Sequence, residues 1–192
     1  KQILIYPATY WDHNEESSPF DSIRTNGKDY GLTSKRVQEY MELYVPNPEN
    51  RKTPEVAPLM ANDLSQQPKT LVISTELDPL RDEGEAYAYA LEKADNEVYL
   101  RRILGAPHGF FTYPDVTGAI EESYKIINRF LYSNIKLKQK SGRSNNKLKV
   151  DSQSKIFLNL FKRKPKNRSR VLSLAEKNKL GEFIALMREN NE

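Results

Sequence analysis

The run from Thr70 to Phe111 constrains the fold more than any other part of the chain. It reads T-L-V-I-S-T-E-L-D-P-L-R-D-E-G-E, continues through an amphipathic stretch, and ends in V-Y-L-R-R-I-L-G-A-P-H-G-F-F. Residues 70–75 and 97–104 are apolar and strand-like, the second alternating through Val98, Leu100 and, less cleanly, Ile103. Between them, residues 81–95 carry Ala86, Tyr87, Ala90, Leu91 and Ala94 at helical spacing. Strand, helix and strand at this length make one right-handed crossover, which requires a parallel sheet in an α/β layered fold. Each strand-like run ends in a turn with one titratable side chain, Asp78 after the first and His108 after the second. Open α/β sheets present reacting groups at the carboxyl ends of their strands in this way.

The flanking segments fit that frame. Residues 2–6 form a short β-rich run closed by Pro7, without clean alternation, as suits a strand covered on both faces. Residues 8–31 are a long polar loop with Tyr10, Trp11, Phe20 and Tyr30. These aromatics either form a lid or binding loop, or anchor the loop to the body. A helix follows with Thr33 or Ser34 as N-cap, an apolar face of Val37, Tyr40, Met41 and Tyr44, and a stop at Pro46 and Pro48. After a Pro-containing linker over 45–69 and the strand–helix–strand unit, residues 120–132 make a last helix. Tyr124, Ile127 and Leu131 share its face, with Ile120 and Phe130 beside them.

Charge divides the chain in two. Residues 1–133 hold 14 basic against 21 acidic side chains, and residues 134–192 hold 16 against 5. We therefore expect a body over 1–133, a basic and mostly disordered linker over 134–172, and an amphipathic helix over 173–192 that needs a partner surface. The cluster Lys162-Arg163-Lys164-Pro165-Lys166-Asn167-Arg168 offers contact with nucleic acid or an anionic membrane; the plainer reading is a solvated linker. There is no cysteine, so disulfides and cysteine metal sites are excluded. That fits a reducing compartment, and a cytoplasmic location is the expectation. No segment approaches the roughly 18 apolar residues of a membrane span, and the opening residues do not read as a signal peptide. His13 and His108, far apart and without ligand spacing, give no expectation of a metal.

Asp78 and His108 read as two members of a Ser-Asp-His hydrolytic triad. The imidazole moves the hydroxyl proton, and the carboxylate fixes its tautomer and stabilises the imidazolium. Their order along the chain, acid before histidine, matches the α/β-hydrolase arrangement. Asp78-Pro79 also has the form of an N-cap followed by Pro in the first turn. A solitary histidine is in general an ordinary loop residue, but the pairing after two strands favours the catalytic reading. Asp82 and Glu83 are alternative carboxylates, ranked lower because they sit inside the helix near its positive end, and Arg81 can pair with one of them. Gly109 allows a tight turn after the histidine, and Phe110 and Phe111 are expected to exclude water.

Together these segments resemble the hormone-sensitive-lipase-like branch of α/β-hydrolases, the acetyl esterase and carboxylesterase group. The resemblance rests on E-L-D-P-L-R-D-E-G-E-A-Y, the later H-G-F, the opening Q-I-L-I-Y-P, G-K-D-Y-G-L-T, and A-P-L-M-A-N-D-L, in the family's order over residues 2–132. It implies the C-terminal half of an α/β-hydrolase parallel sheet with flanking helices. It also implies Asp78 as triad acid, His108 as triad base, and hydrolysis of short-acyl esters with no cofactor. The family's G-D-S-A-G-type elbow and H-G-G-G oxyanion loop are absent from these 192 residues and are expected upstream of Lys1. Gly142-Arg143-Ser144-Asn145-Asn146 lacks the second glycine and a preceding strand, and Ser17, Ser18, Ser34 and Ser74 have no elbow context. The expectation is an esterase-type chain that is catalytically incomplete alone, with an exposed sheet edge that pairs with the missing half or an adjoining domain. The alternative is a non-catalytic remnant acting as an interaction module through its aromatic loop and basic tail.

Overall fold

In the computed structural model, residues 1–113 and 116–132 are described in full, together with the backbone of Lys149–Val150. The strands β1 (Gln2–Ile5), β2 (Thr70–Leu77), β3 (Val98–Pro107) and β4 (Lys149–Val150) form one all-parallel sheet in that order. Four helices accompany it: α1 (Asp21–Thr25), α2 (Ser34–Tyr44), α3 (Arg81–Lys93) and α4 (Thr117–Tyr132). The α/β fold class expected from the sequence is thus the one observed. Beyond the two residues of β4, the readings of 134–172 as linker and 173–192 as helix lie outside the described residues. Among the described residues no strand covers the outer edge of β1. No helix among them is long and apolar enough to cross a membrane.

Parallel strands need cover on both faces, and β2 shows how this sequence supplies it. Leu71 and Ile73 point to one side with Ile103, Ala106, Phe110 and Phe130, against α4. Val72 points to the other with Leu59, Tyr87, Leu91, Val98 and Leu100, against α3. Each fully buried aliphatic side chain contributes about 1.5–3 kcal/mol relative to exposure.

Two predicted faces need correction. Ile103 does not continue the row of Val98 and Leu100. It packs on the opposite side of β3, and the next place in their row is taken by Arg102, held by the buried Glu85 of α3 at 2.6 and 2.7 Å. A strict two-residue period puts position 102 there, and an acid on the facing helix makes a cation tolerable. In α4 the buried face runs through Ser123 and Phe130, flanked by Ala119, Ile120, Ile126 and Ile127. Tyr124 and Leu131, expected on that face, are exposed.

Helix α2 begins as its sequence predicts. Thr33 is the N-cap, its hydroxyl accepting from the Arg36 backbone N–H at 3.2 Å. Thr33→Ala should cost about 1 kcal/mol of stability, read as a lowered urea midpoint. Its apolar stripe is split: Val37 and Met41 are buried, whereas Tyr40 and Tyr44 are 53% and 72% exposed. The exposed half of the stripe faces a cleft described below.

A candidate active site at the carboxyl ends of β2 and β3

The register between β2 and β3 changes near their ends. Thr75 pairs with Ile103, but Leu77 pairs with Pro107, so β3 gains two residues across an irregularity. The carboxylate of Glu76 accepts from the Gly105 N–H at 2.7 Å inside this bulge, where Gly105 takes a positive φ of 66°. With the new register the next residues, Asp78 and His108, stand opposite each other. His108 Nδ1 lies 2.9 Å from Asp78 Oδ2. Asp78 is 1% exposed and His108 24%. The structure therefore brings together the two residues singled out from the sequence.

Three donors orient the Asp78 carboxylate. Leu80 N–H donates to Oδ1 at 2.8 Å, and Thr75 Oγ1 donates to Oδ2 at 3.0 Å beside His108. An ionised carboxylate only accepts, so Nδ1 must carry a proton and Nε2 of the neutral ring keeps its lone pair. The two readings of Asp78 merge here. One oxygen serves the local turn and the other serves the imidazole. Asp78 is nonetheless not the N-cap expected of it: α3 starts at Arg81 with Leu80 in the cap position, and Pro79 precedes the helix.

His108 is held from both sides. Gly109 has φ 75°, in the left-handed region, so the chain turns at once into the 3-10 turn Phe110–Thr112. Tyr6 packs on the imidazole with ring centroids 4.5 Å apart. It does so from a φ of 38°, unusual for a non-glycine residue, at the end of β1. Burial, with Asp78 next in effect, raises the Tyr6 phenol above its ordinary pKa. No sequence pattern pointed to Tyr6. Phe110 and Phe111, expected to shield the site from water, pack instead in the core beside Ile103 and α4, stacked on each other at 4.5 Å.

The loop over residues 8–31 is fastened to α3 by acids that looked like dipole complements. Glu83 Oε1 accepts from the backbone N–H groups of Thr9 and Tyr10 at 2.6 and 3.1 Å. Asp82 accepts from the Ser22 N–H at 2.8 Å and pairs with Arg81 at 2.8 Å, as the sequence allowed. Asn26 donates to the carbonyls of Glu76 and Asp78, bracing the strand end. Tyr10 and Phe20 are buried and packed edge to face, so these two aromatics anchor the loop. Burial, then the Asp12 charge, pushes the Tyr10 phenol up to about 12. His13, read as a polar-loop residue, is fully buried, with Nε2 3.0 Å from Glu83 Oε2. That contact lacks hydrogen-bond alignment, and Nδ1 has no partner among the described residues.

The result is an open cleft of about 450 Å³ with His108 in its wall. The apolar stripe of α2 lines it with Val37, Tyr40, Met41 and Tyr44, as do Leu80, Gly109 and Tyr113. Among the described residues no group of three or more His, Cys, Asp or Glu side chains could hold a metal ion.

This arrangement has counterparts among known proteins. The sequence model of a family described as the alpha/beta hydrolase fold matches residues 1–112. The chain belongs to the α/β-hydrolase family. Within it the chain falls in the hormone-sensitive-lipase-like branch. It is 29% identical over 126 residues to the ethyl acetate hydrolase of Pseudomonas putida, covering 66% of this chain and 38% of that protein. It is 32% identical over 114 residues to the arylesterase of Saccharolobus solfataricus, covering 59% and 36%. Among solved structures, carboxyl esterase 2 of Tuber melanosporum superimposes with a TM-score of 0.60 at 29% identity, over 67% of this chain and 43% of that one. The α/β-hydrolase chain thus spans about two fifths of the length of these relatives.

Proposed function

We propose that this α/β-hydrolase chain supplies the acid and the base of a carboxylic-ester hydrolase acting on small, short-acyl esters. The serine nucleophile and the oxyanion donors come from outside these 192 residues, since neither a G-x-S-x-G nor an H-G-G-G string occurs in them. The observation that carries this reading is the 2.9 Å contact between His108 and the buried Asp78 beside an open cleft. In the proposed reaction His108 Nε2 takes the serine proton as the hydroxyl attacks the ester carbonyl. Asp78 stabilises the imidazolium that forms. His108 then gives the proton to the departing alcohol, and a water repeats the sequence on the acyl-enzyme.

The rival reading, an interaction module acting through the aromatic loop and the basic tail, is not favoured: Tyr10 and Phe20 of the loop are spent in the core, and the tail lies outside the described residues.

The test joins residues 1–132 to the N-terminal part of an esterase relative that carries its own serine. The folded chimera should hydrolyse p-nitrophenyl acetate, while the 192-residue chain alone should match the buffer blank. A folded chimera without turnover, or turnover by the isolated chain, would overturn the proposal.

A further inference from the structure

Among the described residues, Arg36 is the single permanently charged side chain that lines the cleft, and none of the described carboxylates lines it. Leu32, Val37, Tyr40, Met41 and His108 line the same cleft. Arg36 and Tyr40 are four positions apart on α2 and so share one face. The guanidinium has no ion-pair partner among the described residues. Glu39, the acid nearest in the helix, pairs with Lys35 at 3.9 Å. Other arginines in this body are engaged: Arg24 with Asp21, Arg81 with Asp82, Arg102 with Glu85. An uncommitted planar fork in a largely apolar cleft is suited to a carboxylate, which it can grip through two parallel hydrogen bonds.

We infer that the ester taken up in this cleft carries a carboxylate, and that Arg36 reads it. The apolar body of such a molecule lies along Tyr40 and Met41, and the ester carbonyl reaches His108. The assignment of the bound molecule as an ester rests on the proposed hydrolase activity. The anion preference at Arg36 stands on the lining of the cleft and deepens that reading to a substrate class, the half-esters of diacids and esters of keto or aromatic acids with a free carboxyl group. Arg36 here is a specificity residue: it acts on which ester binds and takes no part in proton transfer.

The experiment titrates the full 192-residue chain with 2-naphthoate and with the neutral naphthalene-2-methanol, following the His108 ring C–H signals by NMR. Both probes should move those signals. At low salt the naphthoate should bind about five- to ten-fold more tightly, a preference that shrinks at about 0.5 M salt. Arg36→Gln should remove the preference and leave the affinity for the neutral alcohol unchanged. Equal affinities in the unmodified chain, a preference that survives Arg36→Gln, or His108 signals blind to both probes would each overturn the inference. Ester turnover is not read in this titration. A folded serine-completed chimera without turnover therefore counts against the proposed activity alone, and a missing anion preference against Arg36 alone.

Discussion

Asp78→Asn in the serine-completed chimera is expected to lower kcat by about 10⁴-fold while the fold survives. The hydrogen bonds around Asp78 dictate why. Leu80 N–H donates to Oδ1, so the carbonyl oxygen of an asparagine must stay there. Its NH₂ is then forced into the place of Oδ2, facing His108 Nδ1. A donor against Nδ1 selects the tautomer with the proton on Nε2, which cannot accept from a serine hydroxyl. Thr75 is no obstacle, because its hydroxyl can turn to accept. The tautomer change is measurable without any nucleophile. Nitrogen-15 NMR of the isolated chain should show neutral His108 protonated at Nδ1, and at Nε2 in Asp78→Asn. His108→Ala should cost the chimera at least as much, about 10⁴-fold or more, since the proton acceptor itself is gone. Turnover within ten-fold of the unmodified chimera in either variant would sink the assignment of acid and base.

The sheet was legible because its strands carry their burial in their composition. Residues 70–75 are apolar without alternation and are buried on both faces, as observed. The site was legible because a crossover of fixed length returns two strand ends to the same edge. The two-residue register shift that sets Asp78 opposite His108 could not be read, for it depends on Gly105 and Glu76 meeting across strands. Arg102 broke the hydrophobic alternation of β3, and its partner Glu85 sits on another element. Pattern reading sees a charge there and cannot see the neutralising acid. Tyr6 was hidden for a similar reason: its importance lies in the ring it covers, more than a hundred positions away. In α4 the small Ser123 marks the buried face because it allows close approach, with its hydroxyl satisfied by the Ala119 carbonyl at 2.8 Å.

The acids at the start of α3 sit in its first turn as read, but their hold on the loop was not legible, and Glu83 measures it. Glu83→Ala is expected to cost about 3–6 kcal/mol, as two charge-assisted hydrogen bonds are worth about 1.5–3 kcal/mol each. The loss is not softened by water: Glu83 and Thr9 are both essentially inaccessible, so the N–H groups of Thr9 and Tyr10 lose this acceptor while they stay buried. Glu83→Gln should cost much less, about 1 kcal/mol, because its amide oxygen can still accept from both N–H groups. Its NH₂ then meets His13 Nε2, which now stands 3.0 Å from a carboxylate oxygen. Urea unfolding of the two variants beside the unmodified chain gives the difference directly. Amide exchange at Thr9 and Tyr10 should rise sharply in the alanine variant and little in the glutamine one. An alanine variant within 1 kcal/mol of the unmodified chain would mean the loop is held by its aromatics, Tyr10 and Phe20, and not by this carboxylate. The loop supplies Ala8, His13 and Gly31 to the cleft wall, so a loosened loop also opens the cleft beside His108. In the chimera, then, Glu83→Ala should raise KM as well as lower stability, although Glu83 touches none of the reacting atoms.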